Sequence, residues 1–205
     1  MMIYKIQNYL LRCCFYIKQF NIDVKKVIWL TFDDGPEDGI TEFVLNELEK
    51  YDYRATFFCR GDNAEKHPEL MSMLKEKGHS IGNHTYSHLH AYKTKSKEYV
   101  ADVEKAGKVL GSSTLFRPPH GSLTFRSWWK LRHKKIVFWA LNSEDSSMEK
   151  FNFQHVIDNL EEKTHNCDVV LFHFCHRHEK ETRALLPAYL AWLHEQGYQS
   201  KAIPE

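Results

Sequence analysis

From Lys25 onward, short runs rich in β-branched and aromatic residues alternate with longer amphipathic runs, and few architectures accept that pattern. "KVIWLTF" is followed by "ITEFVLNELEK", "ATFFCRG" by "PELMSMLKEKG" with Gly78 as a stop signal, and "HSIGNHT" by "SKEYVADVEKAGKVLG". Next, "TLFRPP" precedes "FRSWWKLRHK", "KIVFWALN" precedes "FQHVIDNLEEK", and "DVVLFHF" precedes "ETRALLPAYLAWLHEQG", before a terminal "YQSKAI". The expectation is seven strands alternating with six helices. Such alternation argues an α/β fold, a parallel sheet covered by helices, as either a doubly wound sheet or a barrel. In both, ligand sites lie at the carboxyl ends of the strands, so unusual residues should collect where strands stop.

A chain of 205 residues suits one domain with a sizeable core. Its 28 Lys and Arg are offset by 27 Asp and Glu, and without a basic excess or stripe nucleic acid is excluded as a partner. Cys13, Cys14, Cys59, Cys167 and Cys175 are odd in number and form no CxxC pair, so small core residues are expected rather than a disulfide framework. The first stretch, "MMIYKIQNYLLRCCFYIKQF", is interrupted by Lys5, Gln7, Asn8, Arg12 and Lys18. A signal peptide needs an unbroken apolar run of about 7 to 15 residues and a spanning helix about 20. Ile3, Ile6, Tyr9, Leu10, Cys13 and Tyr16 instead recur at helical spacing. The expectation is an amphipathic segment over residues 1–24 that packs on a single domain over residues 25–205. Residues 1–20 are also a candidate for peripheral membrane contact, and the expected location is cytoplasmic or peripherally membrane-associated.

Five clusters fall at strand ends. Asp33 and Asp34 follow the first strand, where Gly35 and Pro36 break it. Successive strand residues point to opposite faces, so the two carboxylates share a pocket only if the strand stops there. Two carboxylates in one pocket also need a cation, a proton or another partner between them. A bare DDG is commonly just a solvated acidic turn. "HTYSH" follows the third strand, with His84 and His88 four apart. An extended chain would hold the rings about 13 Å apart, whereas a turn brings their Cβ atoms to roughly 5 to 6 Å, which suits one metal ion. "FRPPHG" offers Arg117 as a partner for one aspartate, "NSED" offers Asp145, and "LFH" ends in His173. Each alone reads as a loop arginine, a helix cap and a core histidine. Together the set holds a carboxylate and two imidazoles for a metal, a spare carboxylate, an arginine, and a histidine with an acidic partner. That is the inventory of a metal-assisted hydrolase. "HFCHRH" adds Cys175, His176 and His178, for which a polar loop is the plain reading and a second ion the sharper one.

In this order the clusters closely resemble the NodB-homology polysaccharide deacetylases, carbohydrate esterase family 4. TFDDG is Thr31 to Gly35, H[ST]xxH is His84 to His88, RxPxG is Arg117 to Gly121, and LxH is Leu171 to His173. The resemblance spans about residues 25 to 200. The fourth motif, DxxDW, departs: Asn142 replaces its first acid and Ser146 its tryptophan, while Asp145 is retained. His120 stands where tyrosine is frequent, and Phe174 where aspartate is.

The resemblance implies an irregular (β/α)7 barrel that removes N-acetyl groups from amino sugars in a glycan or oligosaccharide such as peptidoglycan, chitooligosaccharide or a lipid-linked precursor. It implies that Asp34, His84 and His88 hold a divalent ion, Zn²⁺ first with Co²⁺ or Ni²⁺ as alternatives. Asp33 would be the general base, positioned by Arg117. His173, kept charged by Asp145, would be the general acid. The backbone N–H of His120 would hold the oxyanion, and Leu171 would adjoin the substrate. Two other readings stay open: a binding module weakened by the altered fourth motif, and a metal-dependent hydrolase of a non-carbohydrate amide or ester. Trp128, Trp129 and Trp139 could stack on sugars or simply pack.

Overall fold

The computed structural model describes residues 26–111, 113–146 and 151–205. The expected N-terminal segment over residues 1–24 therefore lies outside the described residues, as do Cys13 and Cys14. In chain order the elements are β1 (Val27–Asp33), α1 (Ile40–Glu49), β2 (Ala55–Cys59), α2 (Gly61–Lys66), α3 (Pro68–Glu76), β3 (Ser80–Asn83), α4 (Ser96–Leu110) and β4 (Leu115–Phe116). They continue with α5 (Phe125–Lys130), β5 (Lys135–Ile136), β6 (Leu141–Asn142), α6 (Phe153–Lys163), β7 (Val169–His173), α7 (Glu179–Glu195) and β8 (Gln199–Ser200). The strands form one parallel sheet in the order β5-β4-β3-β2-β1-β7-β6, with β8 also against β1. The curled sheet with helices outside is the expected irregular (β/α)7 barrel in a single domain.

Every residue of β1 is buried, because both faces of the strand are covered. Period two sorts them. Ile28, Leu30 and Phe32 join Phe57, Val170 and Phe172 in the layer between sheet and helices, where Leu45 of α1 and Leu186 of α7 also pack. Trp29 points the other way and joins Phe58, Leu115, Val137 and Val169 in a smaller cluster inside the curl. Thr31 and Asp33 continue that inner face of β1, and Leu171 and His173 continue it on β7, in register with them. The interior thus passes from apolar side chains at one end to polar ones at the carboxyl ends of the strands.

Two expectations are corrected. "KIVFWALN" is not one strand: β5 pairs with β4 and β6 with β7, while residues 137–140 cross the seam between the two edges of the sheet. This stretch hands over from one neighbour to the other, since Val137 N–H donates to the Phe116 carbonyl (2.8 Å) and Ala140 N–H to that of Val169 (2.9 Å). The count is therefore eight strands, and seven α-helices among the described residues. The added helix is α2, whose sequence "GDNAEK" stops at His67 because the residue before a proline is disfavoured in helical conformation. Among the described residues no helix is long and apolar enough to cross a membrane. Cys59, Cys167 and Cys175 are free thiols.

Gly82 on β3 is where the sheet leaves no room for a side chain, since an added Cβ would lie 2.3 Å from the Phe58 ring. Gly82→Ala is expected to lower stability by about 1–3 kcal/mol through this overpacking, read as a lower urea midpoint at unchanged slope. An unchanged midpoint would contradict the packing described.

Candidate active site

Asp33 ends β1 on the inner face, 3% exposed, and Arg117, with no exposure at all, reaches it from the loop after β4. A guanidinium is tolerated in an interior only when its N–H groups find acceptors. Here Nη1 donates to Asp33 Oδ1 (2.7 Å) and Thr31 Oγ1 (2.8 Å), Nε to the Val137 carbonyl (3.1 Å) and Nη2 to that of Phe138 (3.3 Å). The carbonyls come from the seam, where residues 137–140 have left the sheet ladder. Phe58 lies under the guanidinium at 4.2 Å, and Trp139 at 5.7 Å.

Asp34 has φ 84°, a left-handed conformation that ends the strand alternation and lets its carboxylate share a pocket with Asp33. Gly35 follows because nothing larger fits: an added Cβ would meet the Phe174 ring at 2.5 Å. Phe174 itself packs on Phe32 and Phe57 in the outer layer.

The segment from His84 to His88 curls after β3 as expected, although not into a helical turn, since Thr85 and His88 have φ of 65° and 56°. Its rings lie 5.2 Å apart. Asp102 of α4 holds the turn by accepting from the Tyr86 and Ser87 N–H groups, both at 2.9 Å. Asn83 Oδ1 accepts from Thr85 N–H (2.8 Å), and the first N–H groups of α2 donate to the Thr85 and Tyr86 carbonyls. His84 Nδ1 donates to the Arg117 carbonyl (2.8 Å), which leaves Nε2 as the lone-pair nitrogen.

His84 Nε2 is 3.5 Å and His88 Nε2 3.0 Å from Asp34 Oδ1. That oxygen is buried and receives no hydrogen bond of acceptable geometry. The three ligand atoms, all within 4.8 Å of one another, thus converge without satisfying one another. Burial pushes His84 down to about 4 against the pull of Asp33 and Asp34, so its imidazole is neutral, as metal ligation requires. Burial works to raise the Asp34 carboxyl, but its neighbours His88, His84 and His173 reverse it and hold the group well below the usual carboxylate range. An ionised carboxylate with a buried unsatisfied oxygen, facing the neutral His84 imidazole and a second ring nitrogen from His88, fits a divalent cation.

Asp145, with no exposure, accepts from His173 Nδ1 (2.7 Å) with one oxygen and from the His173 backbone N–H (2.7 Å) with the other. Thr182 of α7 donates to the second oxygen at 3.1 Å. With Nδ1 committed, Nε2 is the His173 nitrogen available for proton transfer. Burial alone would lower the His173 pKa, but the charge and hydrogen bond of Asp145, joined by the charges of Asp34 and Asp33, raise it to about 9. His120 has φ 57°, and its ring lies 4.6 Å from His88 and 5.0 Å from His90. Leu171 lies two residues before His173 on the inner face. Asn142 is exposed, with its Oδ1 turned to the Glu144 N–H (3.0 Å), and Ser146 is exposed as well. Trp128 and Trp129 are exposed on α5, while Trp139 packs inside the curl.

Sequence reasoning missed Asp102 and Thr182, which touch the site only through backbone groups or other side chains. Asp102 carries no motif signal. Thr31 was visible within TFDDG, but its work, accepting from Arg117 while donating to the Val170 carbonyl (2.7 Å), was not.

The family model described as polysaccharide deacetylase matches residues 21–139. A peptidoglycan-N-acetylglucosamine deacetylase of Bacillus cereus is 33% identical over 206 residues, covering 91% of this chain and 72% of that one. A second protein of the same name and organism is 28% identical over 187 residues, covering 88% of each. Among solved structures, the peptidoglycan deacetylase PdaC from Bacillus subtilis is similar with a TM-score of 0.79 at 27% identity, covering 87% of this chain and 88% of that one.

Two outcomes are expected. Asp102→Ala should release the histidine turn and weaken zinc binding by about tenfold or more, read by competition with a chromogenic chelator; unchanged affinity would contradict the clamp. In the metal-free protein the His173 ring should titrate near 9 by NMR, so that stability from its protonation is complete below about 6.5 and lost as pH rises through about 9. Asp145→Asn should lower that value clearly, because burial is then opposed only by the more distant charges of Asp34 and Asp33; a value still near 9 would refute the assigned cause.

Proposed function

The chain belongs to the polysaccharide deacetylase family, hydrolases of carbohydrate N-acetyl groups, and on that premise we propose that it de-N-acetylates an amino sugar of a peptidoglycan-type glycan with a divalent ion held by Asp34, His84 and His88. The observation that carries the reading is the unsatisfied Asp34 Oδ1 facing two imidazole nitrogens, with the Arg117-bound carboxylate of Asp33 beside them. The names of the Bacillus cereus relatives support the substrate class. One carboxylate and two imidazoles suit Zn²⁺, with Co²⁺ or Ni²⁺ as substitutes, and leave coordination positions open. When bound, such an ion lowers the pKa of a coordinated water toward about 7 and polarises a carbonyl.

The chain's own residues do the rest. Asp33 has Oδ1 fixed by Arg117 while Oδ2 lies 3.8 Å from His84 Nε2, on the side of the ligand set. From there it accepts the proton of the attacking water as general base. Arg117 is the positioning residue that stops the carboxylate from rotating away. The His120 backbone N–H donates to the amide oxygen as negative charge develops there. His173, protonated at neutral pH through Asp145, gives its Nε2 proton to the departing amine. Leu171 adjoins the reacting group from the inner face below His173. Water and the N-acetyl amide become acetate and a free amino sugar. Ser146 leaves one side of the cleft open where a tryptophan would have closed it.

Asp33→Asn should keep one zinc per site yet lose about 10²-fold or more in kcat, measured as acetate release from N-acetylglucosamine oligomers. Near-normal turnover would remove Asp33 from the role of base.

A further inference from the structure

Beside the first ligand set, and sharing Asp34 with it, lies a second group of potential metal ligands, of which Cys175 and His178 enter no step above. Asp34, Cys175 and His178 each offer one ligand atom, and those three atoms lie within 4.8 Å of one another. The backbone after β7 brings them together. Cys175 is extended, and a 3-10 turn over His176–His178 folds His178 back so that its N–H donates to the Cys175 carbonyl (3.1 Å).

The two histidines of that turn differ in a way that points to a ligand. Exposed His176 is satisfied, with Nε2 2.8 Å from the Asp38 carbonyl and Nδ1 3.2 Å from Glu37. His178 is 5% exposed, yet its Nδ1 is buried with no hydrogen-bond partner. Buried ring nitrogens in folded proteins normally find one. Cys175, also 5% exposed, and the carboxylate of Asp34 are its neighbours in the cluster. A third group among the described residues, Asp38, His67 and Glu69, has no such unmet demand, since His67 Nδ1 already lies 3.1 Å from Asp38 at the surface.

We propose that Cys175, His178 and Asp34 form a second divalent-ion site, with the Asp34 carboxylate shared between two ions, and that its occupation inhibits the enzyme. A sulfur, nitrogen and oxygen set suits zinc or cobalt. As the metal–sulfur bond forms, the Cys175 thiol loses its proton to solvent, one per ion bound. The His178 ring is 5.0 Å from that of His173, and Asp34 belongs to both ligand sets, so an ion there occupies the space beside the acid and draws on a ligand of the first ion. The Cys175, His178 and Asp34 site stands independently of the deacetylase reading; the sharing of Asp34 with a first ion and the inhibitory effect rest on that reading.

The test is a cobalt(II) titration of the full chain after chelation, followed by metal content and absorption. Two equivalents are expected, one with a thiolate-to-cobalt charge-transfer band. Cys175→Ser, with His178→Gln as the second variant should the first not fold, should bind one equivalent without the band. The double variant His84→Ala, His88→Ala should keep the band. A single equivalent without the band, or a band that survives Cys175→Ser, would overturn the site. Excess zinc should abolish most acetate release in the wild type and much less in Cys175→Ser; equal inhibition in both would overturn the regulatory part. Cobalt binding is read without turnover, so a protein that binds two ions and releases no acetate would fail the deacetylase reading while leaving the site intact.

Discussion

A single buried guanidinium organises the carboxyl end of this barrel. Arg117 ties together β1 through Thr31 and Asp33, the loop after β4 from which it comes, and the seam between β5 and β6 through the carbonyls of Val137 and Phe138. Its own carbonyl fixes the tautomer of His84. A cation is costly to bury, and this set of acceptors above an aromatic face offsets the loss of water. The same contacts close the barrel, where the sheet ladder does not, and orient the carboxylate beside the ligand set. Stability and the proposed chemistry therefore share one residue.

Around that anchor the same side-chain type is driven to opposite protonation states. His84 is buried beside Asp33 and Asp34, but burial prevails, and the ring stays neutral, the form that the proposed ligation needs. His173 is also buried, yet the doubly engaged Asp145 prevails, and the ring stays protonated at neutral pH. What separates them is the direct hydrogen bond: Asp145 meets His173 Nδ1 at 2.7 Å, whereas His84 Nδ1 faces a carbonyl and its Nε2 only approaches carboxylates at 3.5 and 3.8 Å. Separated pKa values of this kind suit the proposed division of ligand from acid within one pocket.

The alternating pattern was enough to read the parallel α/β architecture, because each buried strand and amphipathic helix carries its own periodicity. The strand-end clusters were legible for a related reason: DDG, HTYSH and RPPHG carry the chain breaks and charged types that force residues out of a regular strand. Less legible were features set by closure. Nothing in "KIVFWALN" announces that residues 137–140 must span the seam, since its composition is that of a continuous strand. Asp102 reads as one more acid on a helix face until the fold lays the histidine turn against it. The barrel itself came from family resemblance, since periodicity does not distinguish a closed sheet from an open one.

The central claim is that hydrolysis needs a cation at Asp34, His84 and His88 next to the anchored Asp33. Its most direct test is acetate release from N-acetylglucosamine oligomers by the full chain before chelation, after removal of bound metal, and after stoichiometric zinc is returned. The account predicts loss on removal and recovery with one equivalent. A chelated protein, verified metal-free, that turned over at the original rate would contradict it.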